Sequence, residues 1–246
     1  MKRFRPGLVP TLVVLALLPT LVALGCWQLS RAEHKRALLA MHAARQLEEP
    51  LTVERLRESS EPAFRRVQLR GRFDARHSIL LDNRMRGGKA GVELLQPFQD
   101  EASGVWLLVN RGWLAWPDRR LPVTFETPSR SLALQAWVHE ATGQLLQLRA
   151  DPVAGQWPRL LNGIEPRHLW QELEREGIAH ELRLEPGPAS YRLDWPVVTT
   201  GPEKHLGYAV QWFALATALL ALYLYFGWNP RKENPHVQRD PPDGHA

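Results

Sequence analysis

Cysteine is nearly absent from this chain: Cys26 stands alone among 246 residues. An intramolecular disulfide is therefore excluded, and any part exposed to an oxidising compartment must hold together through its core alone. Charge is absent over two long stretches, Leu8–Leu29 and Leu206–Pro230. Each exceeds the roughly 20 residues a helix needs to cross the hydrocarbon of a bilayer. The low mean hydropathy of −0.31 would suit a soluble protein, but this segregation of apolar residues excludes a simple cytosolic domain. Enzyme signatures are missing as well. The sequence carries no Gly-rich phosphate loop, no nucleophile elbow and no His/Cys cluster at metal-ligand spacing. His34, His42, His77, His139, His168 and His180 have no evident partners in the sequence, and His34 and His42 read as solvated helix residues. The expectation is a protein that is not an enzyme.

The charge that is present has a telling position. The net charge is +5, and Lys2, Arg3 and Arg5 lie ahead of the first apolar run. Ser30–Gly207 holds 25 basic and 23 acidic residues, and the tail after Trp228 holds three of each sign. The excess is an N-terminal cluster rather than a basic groove, which disfavours nucleic-acid binding.

The first run has the basic flank of a signal peptide, and Ala23-Leu24-Gly25-Cys26 resembles a lipoprotein cleavage site. The run is long for a signal, however, and a second anchor makes lipidation redundant, so it is expected to be retained. Basic residues ahead of the first run and Arg231 and Lys232 after the second put both termini in the cytoplasm by the positive-inside rule. Tyr208 and Trp212 at one end of the second run, and Tyr223, Tyr225 and Trp228 at the other, match the aromatic belts of the two headgroup layers. The expected layout is a cytoplasmic 1–7, a transmembrane helix 8–29, a periplasmic 30–207, a second transmembrane helix 208–228 and a disordered cytoplasmic tail 229–246. A bacterial inner membrane fits this layout.

Within the external segment, Glu33–Leu47 lacks Gly and Pro and extends the first helix, and Thr52 caps a short helix over Thr52–Arg57. Alternation then predicts strands at Val67–Phe73 and Leu132–His139, and further strands are expected at Ser78–Asp82, Val92–Gln96, Ile178–Leu184 and Arg192–Val198. A nearly all-apolar strand is expected at Val105–Val109, ending at Asn110-Arg111-Gly112-Trp113, and a helix at Pro166–Glu176. Arg86-Gly87-Gly88-Lys89 reads as a turn. Strands joined by short turns favour an α+β, mainly antiparallel-β external domain between two transmembrane helices.

Four clusters carry residue types that are costly where they sit. Leu24–Arg31 closes the first run, and its Trp27, Gln28 and Arg31 are either interfacial anchors or site residues. Gly71-Arg72-Phe73-Asp74 reads as a strand ending in a turn. Leu108–Trp113 combines Arg111, read as a surface charge, with a Gly112 suited to positive φ. Lys204–Phe213 opens the second run. There His205, Tyr208 or Ala209, and Trp212 share a helix face. A neutral imidazole at a bilayer edge is a competent axial ligand for haem iron, and a Trp offers a flat apolar surface. The competing reading is an interfacial His beside a Trp anchor.

In order and placement, these clusters resemble the surfeit-locus family of cytochrome c oxidase assembly factors. The matching residues are Gly25, Trp27, Gln28 and Arg31; Gly71, Phe73 and Asp74; Val109 to Trp113; and His205, Tyr208, Ala209, Gln211, Trp212 and Phe213. The resemblance covers roughly residues 8–228. Residues 115–166 match poorly, and Lys204 stands where many members have Asn. It implies a chaperone-like factor that holds or delivers haem a to the oxidase catalytic subunit, with that subunit and the haem a synthesis machinery as partners. His205 is then the implied ligand of haem iron, with Tyr208, Trp212, Trp27, Gln28 and Arg31 around the cofactor. Arg31 is the first candidate to pair with a haem propionate and Arg111 the second. The alternative is a structural clamp on the oxidase subunit that never touches haem.

Overall fold

A computed structural model of the chain describes Phe4 and residues 6–139, 156–198 and 200–228. The expected tail 229–246 lies outside them. The chain divides into two compact units, one of residues 1–38 and 198–246 and the other Leu39–Val197.

The first unit is a helix pair. Helix α1 spans Leu8–Leu47, of which its C-terminal residues belong to the second unit, and α4 spans Pro202–Trp228. Both are long and apolar enough to cross a membrane. The continuous run of α1 bears out its expected extension through Glu33–Leu47.

The second unit is built on β1 (Arg66–Phe73), β2 (Ile79–Arg86), β3 (Lys89–Asp100), β4 (Trp106–Ala115), β5 (Leu132–His139), β6 (Arg159–Leu161) and β7 (Gly177–Leu184), with short helices α2 (Val53–Glu58) and α3 (Pro166–Glu172). Thr52 caps α2 as expected, its hydroxyl accepting from the Arg55 amide at 3.4 Å. The expected turn at Arg86–Lys89 joins β2 to β3 with Gly87 and Gly88 both at positive φ, the geometry of a tight hairpin.

The strands do not form a simple antiparallel sheet. The order β1-β5-β7-β4-β3 returns to β1, so five strands close on themselves, and β2 and β6 continue the sheet beyond β3. Both β4–β7 and β2–β6 are parallel, while the other pairings are antiparallel, so the sheet is mainly antiparallel as expected but closes into a barrel. Closure depends on one glycine. Gly71 pairs with Leu132 of β5 and with Asp100 of β3, and a Cβ there would fall 1.8 Å from the Gln99 carbonyl oxygen. Only a residue without a side chain lets the two partner strands meet at β1.

Alternate residues of the ring fill its interior: Val67 and Leu69, Leu107 and Val109, Leu134 and Ala136, Leu182 and Leu184, with Val53 and Leu56 of α2. Each such Val or Leu side chain contributes about 2 kcal/mol on burial. Against the outer face of β2, β3 and β4, Leu169 and Trp170 of α3 pack on Ile79, Leu95 and Leu108. Gly177 gives Trp170 room, since a Cβ there would meet the indole at 2.5 Å.

Several expected boundaries shift. Strand β3 runs through Pro97 to Asp100, because Pro97 faces Leu108 at a ladder position that costs no required donor. Strand β4 continues past Val109 to Ala115, since its polar residues are buried and bonded rather than turned to solvent. The expected strand Arg192–Val198 contributes only an isolated bridge from Arg192 to Trp113. Helix α3 stops at Glu172, ahead of Glu174 at φ 50°. The three-residue β6 was too short to leave a periodic signal.

Candidate functional site

The sequence of α4 favours a long helix with one packing seam. Pro202 opens it, where a missing N–H costs nothing, and Glu203 sits in its positive first turn. Pro202, Ala209 and Ala216 are buried and recur at the heptad interval of a helix–helix contact. On α1 the seam passes Gly25, whose Cβ would lie 2.6 Å from the Phe213 ring. Small residues let apolar helices approach closely. The Thr11 and Tyr223 hydroxyls meet at 3.0 Å, and Phe4 packs edge-on against Tyr223 and Trp228. The two helices therefore run antiparallel, with Gln28 opposite the first turns of α4.

There the structure joins two of the expected site residues. His205 Nδ1 and Gln28 Oε1 are 2.8 Å apart. An amide oxygen only accepts, so Nδ1 carries the proton and the ring is held as the Nδ1–H tautomer. Nε2 makes no hydrogen bond among the described residues. His205 is half-buried, as is Trp212 on the same helix face.

The other expected residues take different positions. Trp27 and Arg31 are exposed and pair with each other, the guanidinium 6.0 Å from the indole centroid, as residues four apart on a helix do. Tyr208 is half exposed, to one side of the seam that Ala209 occupies. Cys26 is exposed and free. The interhelical bond to Gln28 had no sequence signal beyond a polar residue near the end of an apolar run.

The two central clusters belong to the β unit, where they are structural. Arg111 is not a surface charge. It is buried, donates from Nε to the Ala189 carbonyl at 2.8 Å and from Nη1 to Gln96 Oε1 at 2.6 Å, and stacks between Phe73 and Tyr191. Burial lowers its affinity for a proton. A guanidinium already spent in this way is not a propionate partner, which corrects that candidacy. Asn110 donates to Glu93 and Glu181, Gly112 adopts φ 119°, and Trp113 lies against Gly91 and donates to the Arg84 carbonyl.

Several histidines that looked isolated have partners, His168 among them with Glu165 at 3.8 Å. His77 Nδ1 lies 2.6 Å from Asp74 Oδ2, which also pairs with Arg175 at 2.8 Å. Burial opposes ionisation of Asp74, but His77, Arg175 and the Arg76 amide hold its carboxyl below the usual range. His42 is not solvated: it packs edge-on against Phe64 and Trp137, and burial lowers its pKa. His139 contacts Arg183 at 3.1 Å. Burial, with Arg183 and Arg84 near, pushes it down to about 4 despite Glu181. Burial raises Glu181, but Arg183, His139 and Asn110 outweigh it and keep the carboxyl ionised. Glu181 and Arg183, two apart on one strand face, were the legible sign of this network. Among the described residues, no group of three His, Cys, Asp or Glu side chains is arranged to hold a metal ion.

The family model described as "SURF1 family" matches residues 15–217, a span that takes in most of both helices and the whole β unit. A SURF1-like protein of Rickettsia felis is 26% identical over 242 residues, covering 89% of this chain and 96% of its own length. A SURF1-like protein of Dictyostelium discoideum is 23% identical, covering 82% and 90%. Surfeit locus protein 1 of Gallus gallus is 28% identical over 232 residues, covering 83% of this chain and 71% of its own. With the four clusters all inside the matched span, the chain belongs to the SURF1 family.

Proposed function

We propose that this protein is a membrane-anchored assembly factor for a haem-copper cytochrome c oxidase, and that it holds haem a for the catalytic subunit through His205. It works without catalysing a reaction of its own, alongside the machinery that makes haem a. Both long helices cross the bacterial inner membrane, both termini are cytoplasmic, and residues 30–207 are periplasmic.

The observation that carries this reading is the hydrogen bond that orients the His205 imidazole. Haem iron takes one or two protein ligands, commonly a neutral His nitrogen. His205 offers that nitrogen, with Nδ1 bonded to Gln28 at 2.8 Å and Nε2 unbonded among the described residues. The residues present therefore fit the group: Nε2 is the ligand, Trp212 on the same helix face is an apolar wall, and the exposed Arg31 is the cation for a propionate. When bound, haem a supplies the redox-active iron and the porphyrin that the oxidase requires. Helix α1 sets Gln28 against His205.

The test is the absorption spectrum of the full-length protein purified in detergent from cells making haem a. The expected result is a Soret and an α band for the unaltered protein, and a loss of at least tenfold in bound haem for His205→Ala. A clean unaltered protein without haem, or a variant that binds equally, would contradict the ligand assignment.

A further inference from the structure

Gln28 and His205 come from opposite ends of the sequence, yet a side-chain hydrogen bond between the two helices joins them and orients the imidazole. The chemistry of the acceptor matters. A histidine ligand normally donates its second N–H to a carboxylate, a backbone carbonyl or water, and that partner fixes the tautomer and sets how strongly the ring donates to a metal. A carboxylate draws the proton and makes the ring a stronger donor. A neutral amide holds the same tautomer without that charge. Turning the Gln28 amide over would place its NH2 against Nδ1, force the proton onto Nε2 and close the ligand nitrogen.

We infer that Gln28 is a positioning residue for the His205 ligand: its amide oxygen fixes the Nδ1–H tautomer and aims Nε2, while its neutrality keeps the imidazole a moderate donor to haem iron. This deepens the haem reading above and rests on it. A moderate donor suits a site that must release what it holds. Gln28 thus acts through His205 rather than by touching the cofactor, which refines its place among the expected cofactor-binding residues.

Three variants of the full-length protein in lipid nanodiscs test this, each titrated with haem a and followed by its spectrum and midpoint potential. Gln28→Ala removes the acceptor and is expected to weaken binding about 10- to 100-fold, the usual cost of losing such a partner. Gln28→Glu keeps the acceptor and adds charge, so haem is expected to bind at least as tightly, with a more negative midpoint potential. A packing role alone predicts no shift in potential. If Gln28→Ala fails to insert, the Glu variant decides by its potential. Binding within twofold for Gln28→Ala, or an unchanged potential for Gln28→Glu, overturns the inference while His205→Ala still loses haem. If His205→Ala also binds normally, it is the haem reading itself that fails.

Discussion

At the scale of single residues, the β unit carries most of the costly chemistry and spends it on its own fold. Arg111 is buried and is held by a carbonyl, an amide and two aromatic faces. Removing its side chain would strand Gln96, whose own amide donates to Ser78 and Thr127. His139 makes a measurable claim. Below pH 6.5 the unfolded chain takes up a proton that the folded unit refuses until about pH 4. Stability is therefore unaffected by this group above pH 6.5 and falls as the pH drops below it, by about 2 kcal/mol by pH 5. His42 adds to the loss in the same direction. Thermal unfolding of the detergent-solubilised protein from pH 7 to pH 5 should show a steeper decline than the same series for His139→Gln. Parallel curves would show that His139 titrates normally.

At the scale of elements, what the sequence made legible followed from periodicity and composition. The two apolar helices, the Thr52 cap, the Gly87-Gly88 hairpin and β5 over Leu132–His139 all lie where expected, because each rests on a local rule. Barrel closure was invisible, since it turns on Gly71 meeting a strand nearly thirty residues away, and no local pattern records that approach. The parallel β4–β7 pair was hidden for the same reason. At the site, His205 was legible from its spacing to Trp212, whereas Gln28 as its partner needed the antiparallel pairing that Gly25 and Phe213 permit. Orientation across the membrane belongs to these same helices. Their short basic flanks should dominate over the long loop between them. A reporter joined after Ala246 is expected to be active only in the cytoplasm, and one inserted at Gly155 only in the periplasm. The opposite pattern would reverse the topology.

At the scale of the whole molecule, two units with separate logics share one chain. The β unit closes on a core of its own and pairs its buried carboxylates Glu93 and Glu181 with its own arginines, while the helix pair carries an imidazole whose second nitrogen nothing in the described structure uses. The family match runs across both units, from residue 15 to 217, so the helices are as much part of what defines the protein as the barrel is. If the helix pair holds haem a for an oxidase, loss of one ligand atom must be felt in another protein. The most direct measurement is the haem a content of the oxidase catalytic subunit, purified from cells whose only copy of this chain carries His205→Ala, with the membrane level of the variant confirmed. The oxidase is expected to be short of haem a by several-fold although the variant is present at normal level. A full complement of haem a, as a structural clamp requires, would contradict it.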